Sequence, residues 1–355
     1  NTLVTAMTKE QAQVASYAFS TRERNIGVVQ VPDERLDRLA EMFHPRKVTP
    51  TDVEFIDVPG LVRGASTGEG LGNQFLGYLR DADALAMVVR CFTATHVEHI
   101  DGSIDPQRDI DTLNLELIVA DLQVVERRLE RTRRAAKSRD PKIERELQDL
   151  ENIQAHLNEG IPVRRIAGDE LPPVLRELNL LTVKPLLYVA NVDEQYLARY
   201  GPQFDPRDPM VWAAREAAEA ERALAVVVSA DLDAQLIQLE PTDAQEYLAS
   251  LGLTVPTVGS VIRAGYQLLN LLTFLTAGEP EVRAWTVRKG ATAPEAAGKI
   301  HSDIQRGFIR AEVVAYTDLI AAGSMVEAQK RGLVRLEGRD YIMQDGDVVH
   351  FRFNA

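Results

Sequence analysis

The sequence predicts an α/β fold built on a parallel sheet, interrupted by a helical hairpin and followed by a smaller α+β unit. Three observations carry this expectation. Short apolar runs rich in Val, Ile and Leu recur at 53–58, 84–92, 185–190 and 223–229, each closing in small or polar residues. That is the pattern of strands buried on both faces. Between the second and third runs, apolar residues fall at alternating spacings of three and four. From about Ala277 onward the texture changes to short strands separated by Gly-bearing turns.

Taken in order, the 25–31 stretch (NIGVVQV) reads as a further strand, and the 53–58 run leads into Asp57-Val58-Pro59-Gly60. Leu115, Ile118, Leu122, Val125 and Leu129 then define one seam of a helix. Asp140-Pro141 breaks it, and Ile143, Leu147, Leu150 and Leu157 resume a helical stripe. Few heptads are present, so an intramolecular antiparallel pair is expected rather than a long dimeric coiled coil. Past 277, strands are expected at 284–287, 308–314 and 348–353, with two short helices between them. The segment is long enough for a compact domain of its own. The expected division is 1–105 with 184–276 as the sheet domain, 106–183 as the helical insert, and 277–355 as the C-terminal domain.

A chain of 355 residues with 45% hydrophobic and 26% charged residues is an ordinary globular protein of two or three domains. No apolar run approaches the roughly 18 residues of a membrane span, and no basic region followed by an apolar stretch suggests a secretory signal. The expected location is the cytoplasm, and the single cysteine, Cys91, fits a reducing compartment. A formal charge of −13 argues against coating nucleic acid with the whole surface. It leaves room for local patches. The densest basic run is Arg127, Arg128, Arg131, Arg133, Arg134, Lys137, Arg139 and Lys142, on the helical insert. It reads either as a solvated helix face partnered by Glu126 and Glu130 or as a contact for RNA phosphates. Six scattered histidines and one cysteine form no metal-ligand pattern.

The chemistry is written at strand ends. An Asp at the end of a buried strand, here Asp57, can hold a Mg²⁺-bound water, and a Gly three residues later, Gly60, offers a backbone N–H to a γ-phosphate. The glycine-rich Gly64 to Gly72 stretch that follows suits a nucleotide-sensing loop. The 185–190 run ends in Asn191-Val192-Asp193-Glu194, where guanine-binding enzymes carry N-K-x-D. Glu194 is longer than the Asp that pairs with guanine, so the basis for guanine recognition is lost. The next strand ends in Ser229-Ala230, the usual partner loop for the base.

The order and wording of these motifs resemble the YchF/Obg-like ATPase family of the P-loop GTPase superfamily. The matching residues include Tyr17 to Thr21 (YAFST), Val31 to Leu36 (VPDERL), Gly60 to Asn73 (GLVRGASTGEGLGN), Val89 to Phe92, and Asn191 to Glu194. They also include Ala284 to Gly290 (AWTVRKG), His301-Ser302-Asp303 and Arg306 to Glu312. The similarity spans essentially the whole chain. It implies a G domain of the P-loop NTPase fold, an inserted helical domain and a C-terminal TGS domain. It further implies ATP preferred over GTP, Mg²⁺ dependence, and binding to the ribosome. Contact with ribosomal RNA and a monomeric state are separate expectations.

The family's G-x-x-x-x-G-K-[ST] loop is not in the sequence, which opens at the loop's last positions. Asn1 falls where a Mg²⁺-binding Ser or Thr would stand, and Thr2 follows. Without the loop's lysine and amides, hydrolysis should fail. The expectation is that the sequence is a piece of a longer molecule. Thr21 matches the switch threonine that reaches Mg²⁺ and the γ-phosphate. Leu61, immediately after D-x-x-G, cannot orient water as a Gln would. His99, a position where the family carries a histidine, is the candidate for activating that water. Asn191, Val192, Glu194, Ser229 and Ala230 would surround the base. Two rivals remain open: a guanine-specific GTPase of the same fold, and a non-catalytic RNA-binding or ribosome-binding module.

Overall fold

A computed structural model describes residues 2–9, 25–58, 71–93, 102–138, 140–166 and 172–354. Its strands are β1 (Asn25–Gln30), β2 (Val48–Thr49), β3 (Asp52–Asp57), β4 (Leu85–Arg90), β5 (Leu186–Asn191) and β6 (Leu224–Val228). They continue with β7 (Leu271–Ala277), β8 (Val282–Arg288), β9 (Phe308–Ala315), β10 (Arg335–Glu337) and β11 (Asp347–Phe353). The chain divides into two compact units, Asn1–Gly27 with Phe55–Gly265, and Val28–Glu54 with Tyr266–Ala355.

In the first unit β4, β5 and β6 form a parallel sheet in that order. β5 is buried along its length, and Tyr188, Val189 and Ala190 have no exposed surface. A central strand covered on both faces has no use for polar side chains, which is why the run is continuously apolar. The 53–58 run departs from expectation. It belongs to β3, which pairs with β1 in a separate two-stranded sheet rather than joining the other three. Its alternating exposure, with Asp52 and Glu54 outward, is that of a strand covered on one side.

The helical hairpin is present: Pro106–Ala135 and Pro141–Asn158 pack together, each opened by an Asp cap (Asp105, Asp140) followed by proline at the first helical position. Ile118, Val125 and Leu129 meet Leu150, Ile153 and Leu157 in one core. Leu115, expected on the same seam, is instead exposed. The reason is that the long helix serves two cores. Its first half turns Ile110, Leu117 and Ala120 into the core of the parallel sheet, while from Ile118 onward another face meets the hairpin partner.

The helix Thr2–Lys9 packs against the helix Ala230–Leu236, with Leu3, Ala6 and Met7 buried. β1 passes close beside it: a Cβ on Gly27 would overlap the Thr8 methyl group, so a larger residue there would force Thr8 to shift.

The second unit holds a six-stranded mixed sheet in the order β10-β9-β11-β7-β8-β2. It differs from the expected 277–355 domain in two ways. β7, read as the tail of the sheet domain, is an inner strand here, and residues 28–54 contribute β2 and the helix Glu34–Phe43. Four short helices, Ala293–Ile300, Ser302–Arg306, Tyr316–Ala322 and Met325–Lys330, stand where two were expected.

Candidate nucleotide-binding site

Register brings the motif-bearing strand ends level. Asn191 pairs with Arg90 on β4 and Val228 on β6. The ladder runs one step further, with Cys91 N donating to Asn191 O and Val192 N to Val228 O, each at 2.8 Å. In open parallel sheets ligands gather at this carboxyl edge.

Beyond the edge, side chains replace the ladder. Asn191 Oδ1 accepts from Ala230 N at 3.0 Å, which ties the loop after β5 to the loop after β6. That bond also fixes the amide orientation, because only the oxygen can accept from an N–H; Nδ2 is left as a donor. Asp193 caps the helix Glu194–Tyr200, accepting from Tyr196 N at 2.9 Å. Glu194, the first residue of that helix, accepts from the Tyr247 hydroxyl at 2.7 Å through Oε2.

The Ser229-Ala230 loop is held from beneath. Ser229 caps the helix Ala230–Leu236, and its backbone N donates to Thr257 Oγ1 at 3.0 Å. Thr257 in turn donates to the carboxylate of Asp233 through Oγ1 at 2.6 Å and through its backbone N at 3.0 Å; Val258 N adds a third bond at 2.7 Å. Asp233 is only 2% exposed. Burial pushes its carboxyl up and the three donors pull it down, with burial winning.

Among the residues singled out in the sequence, Asn191, Glu194, Ser229 and Ala230 are brought together at the sheet edge. Val192 arrives with them, but its side chain is 2% exposed and packs in the core, so it shapes the strand end from behind. Ser229 and Ala230 are also buried and present backbone rather than side chain. Asp57 stands half-buried at the end of β3, and Thr2 is the exposed first residue of its helix. Asn1, Thr21, Gly60 and His99 lie outside the described residues. Asp233, Thr257 and Tyr247 were not found by sequence reasoning. A Thr directly before an apolar helix was a readable cap signal for Thr257. Nothing local pointed to Tyr247, which is 53 residues from its partner.

Among the described residues no group of three or more His, Cys, Asp or Glu side chains converges on a point. A Mg²⁺ held by one carboxylate, water and phosphate oxygens needs no such cage, and the half-buried Asp57 fits that donor set. Cys91 is no nucleophile: buried, with its Sγ 3.3 Å from Met210 O, its thiol is pushed up to about 12 by desolvation. What the edge offers is an amide donor and a tethered carboxylate, a pair able to recognise a planar base with one acceptor and one amino group.

Comparisons with known proteins bear on the fold and the family. Residues 1–125 match the family described as "50S ribosome-binding GTPase", and residues 271–354 match the C-terminal family of the YchF GTPases, described as "Protein of unknown function". The chain is 46% identical to the "Ribosome-binding ATPase YchF" of Bacillus subtilis and 48% identical to that of Haemophilus ducreyi, in each case over 100% of this chain and 96% of the relative. The solved structure of the Schizosaccharomyces pombe YchF GTPase superposes with a TM-score of 0.83 at 32% identity, covering 99% of this chain and 94% of that one. A GTP binding protein from Pyrococcus horikoshii shares the fold, with a TM-score of 0.60 at 18% identity. This chain thus has an α/β fold with a GTPase domain, and it belongs to the YchF family.

Proposed function

We propose that this protein is a ribosome-associated ATPase that hydrolyses ATP, and GTP less well, with Mg²⁺ in the cytoplasm. The observation that carries the reading is the joined pair of loops at the sheet edge, Asn191 to Glu194 and Ser229-Ala230. The Nδ2 of Asn191 donates to a purine N7, an acceptor common to adenine and guanine, so it reads purine without choosing between them. Glu194 makes the choice. A carboxylate accepts only, and it meets the 6-amino group of adenine where guanine presents a carbonyl.

The phosphate end is assigned to Asp57, Thr21, Gly60, Asn1 and Thr2, of which Thr2 opens the helix Thr2–Lys9 and Asp57 closes β3. Mg²⁺, when bound, would neutralise charge on the phosphates; Asn1, Thr21 and Asp57 would hold it, Asp57 through water. Gly60 is proposed to offer its backbone N–H to the γ-phosphate. His99 takes a proton as water attacks the γ-phosphorus, the new P–O bond forms, and the bond to the β-phosphate oxygen breaks to release ADP.

The ribosome as partner is supported by the names of the relatives, and the large subunit by the description of the family matched over 1–125. Exposed Arg127, Arg131 and Arg134 on the hairpin, spaced to share one helix face, are the side chains proposed to meet ribosomal RNA phosphates. Arg128 and Arg133 are engaged elsewhere, with Glu146 and Glu177 and with Glu151. The C-terminal unit is read as a TGS domain, the hairpin as an inserted domain, and the protein as a monomer. Among the described residues no helix is long and apolar enough to cross a membrane.

The word GTPase in the description of the 1–125 family and of the fission-yeast structure keeps a guanine-specific reading alive. Calorimetric titration of ATP and GTP with Mg²⁺ decides, using the chain preceded by a G-x-x-x-x-G-K-[ST] loop. ATP binding about tenfold tighter or more is expected. The reverse order selects the guanine-specific enzyme, and no binding by either leaves an RNA-binding module. In the same preparation His99→Ala should lower turnover; unchanged hydrolysis would remove His99 from the mechanism.

A further inference from the structure

Glu194 is a flexible side chain asked to make a specific choice. A glutamate on the first turn of a helix has several rotamers open to it, and an untethered carboxylate can turn both oxygens toward a base. Two oxygens side by side are what guanine wants, because its N1–H and 2-amino group lie on one edge and are both donors. Adenine has one amino group on that edge, beside an acceptor nitrogen that a second carboxylate oxygen would repel. Discrimination therefore needs one oxygen presented and the other withheld.

The structure supplies the withholding group. Tyr247, on the helix Pro241–Ser250, places its hydroxyl 2.7 Å from Glu194 Oε2. Its ring is half-buried against the core that underlies the parallel sheet, so the hydroxyl is held by packing. The bond to Glu194 pushes the phenol pKa up, and Tyr247 remains a donor at neutral pH. The position of Glu194 is fixed from the other side by the Asp193 cap and the Asn191–Ala230 bond.

We infer that Tyr247 is a specificity-positioning residue, whose hydroxyl holds Oε2 of Glu194 so that a single oxygen faces the 6-amino group of adenine and guanine is denied a paired acceptor. This rests on the reading of 191–194 as the base-recognition segment. Tyr247 contacts Glu194, and on this inference it selects by restraining that residue.

The test compares affinities for ATP and GTP in the full-length protein by displacement of a fluorescent nucleotide, in Tyr247→Phe, Glu194→Ala and the double variant. Phe keeps the packed ring and removes only the donor. The ratio of ATP to GTP affinity should fall by roughly three- to tenfold in Tyr247→Phe, the net worth of one ordinary, partly exposed hydrogen bond. Glu194→Ala should abolish the preference, and adding Tyr247→Phe to it should change nothing further. An unchanged ratio in Tyr247→Phe beside an altered one in Glu194→Ala overturns the inference and leaves the base reading intact. So does an equal loss of both affinities, the mark of a merely structural tyrosine. An unchanged ratio in both single variants sinks the base reading and this inference with it.

Discussion

Asp233 accepts three hydrogen bonds in a place closed to water, and one of its donors, Thr257 Oγ1, also accepts from the backbone of Ser229. Asp233→Ala would strand Thr257 N, Thr257 Oγ1 and Val258 N together, and a buried donor without a partner costs more than the bond itself contributed. The expected loss is about 2–5 kcal/mol of unfolding free energy in urea titration. Asp233→Asn, which keeps an acceptor, should lose distinctly less. Equal losses would show that the charge, and not the satisfied donors, carries the stability. This residue also marks a boundary of what could be read in advance. Asn191, Glu194 and Ser229-Ala230 were legible because strand-end motifs are local strings of letters. Asp233 and Tyr247 were not, because their partners are 24 and 53 residues away and only the fold brings them close.

At the scale of elements, the hairpin was legible from period alone, since a 3-4 repeat broken by Asp140-Pro141 allows little else. Its outlying residue, Leu115, was misplaced because periodicity assumes one partner per helix, and this helix has two. The strand 53–58 was misassigned for a related reason: a short apolar run does not say whether one face or both are covered. The hairpin is further clasped by Glu146 of the second helix, which accepts from Arg128 at 2.7 Å and from Thr132 Oγ1 at 2.8 Å on the first. The Arg128 bond, reinforced by Thr132 and the guanidinium charge, holds the Glu146 carboxyl below its ordinary value of 4.5. A depressed carboxyl stabilises the fold above its unfolded pKa and loses that contribution as pH falls through the folded value. Hairpin stability should therefore decline as pH falls below about 4.5, and Arg128→Gln should flatten that decline. Helix content followed by circular dichroism in urea across this range checks it. A decline of the same slope in Arg128→Gln would assign the acid sensitivity to other carboxylates.

At the scale of the whole molecule, the chain leaves the first unit at Gly27, contributes 28–54 to the second, and returns at Phe55. The borrowed segment is no loose strap. Leu36 and Leu39 share a core with Leu275, Val282, Val314 and Leu319, and Leu39 has no exposed surface. Val282 N donates to Lys47 O at 3.0 Å, β2 extends the sheet beyond β8, and Arg35 pairs with Asp345 at 2.6 Å. These contacts explain why the C-terminal domain could not be bounded from its own sequence: an element supplied from more than 200 residues upstream leaves no local trace there. They also make a prediction that a self-contained 277–355 domain would not. Leu39→Ala removes a fully buried side chain, for which the usual cost is about 2–5 kcal/mol. That cost should fall on the second unit. Amide hydrogen exchange should quicken in β7, β8 and β11 while β5, in the parallel sheet, keeps its protection. If β7 and β8 exchange as slowly as before, the segment 28–54 is an attachment and the C-terminal unit folds without it. If they quicken, the sheet at the C-terminus depends for its stability on residues near the start of the chain.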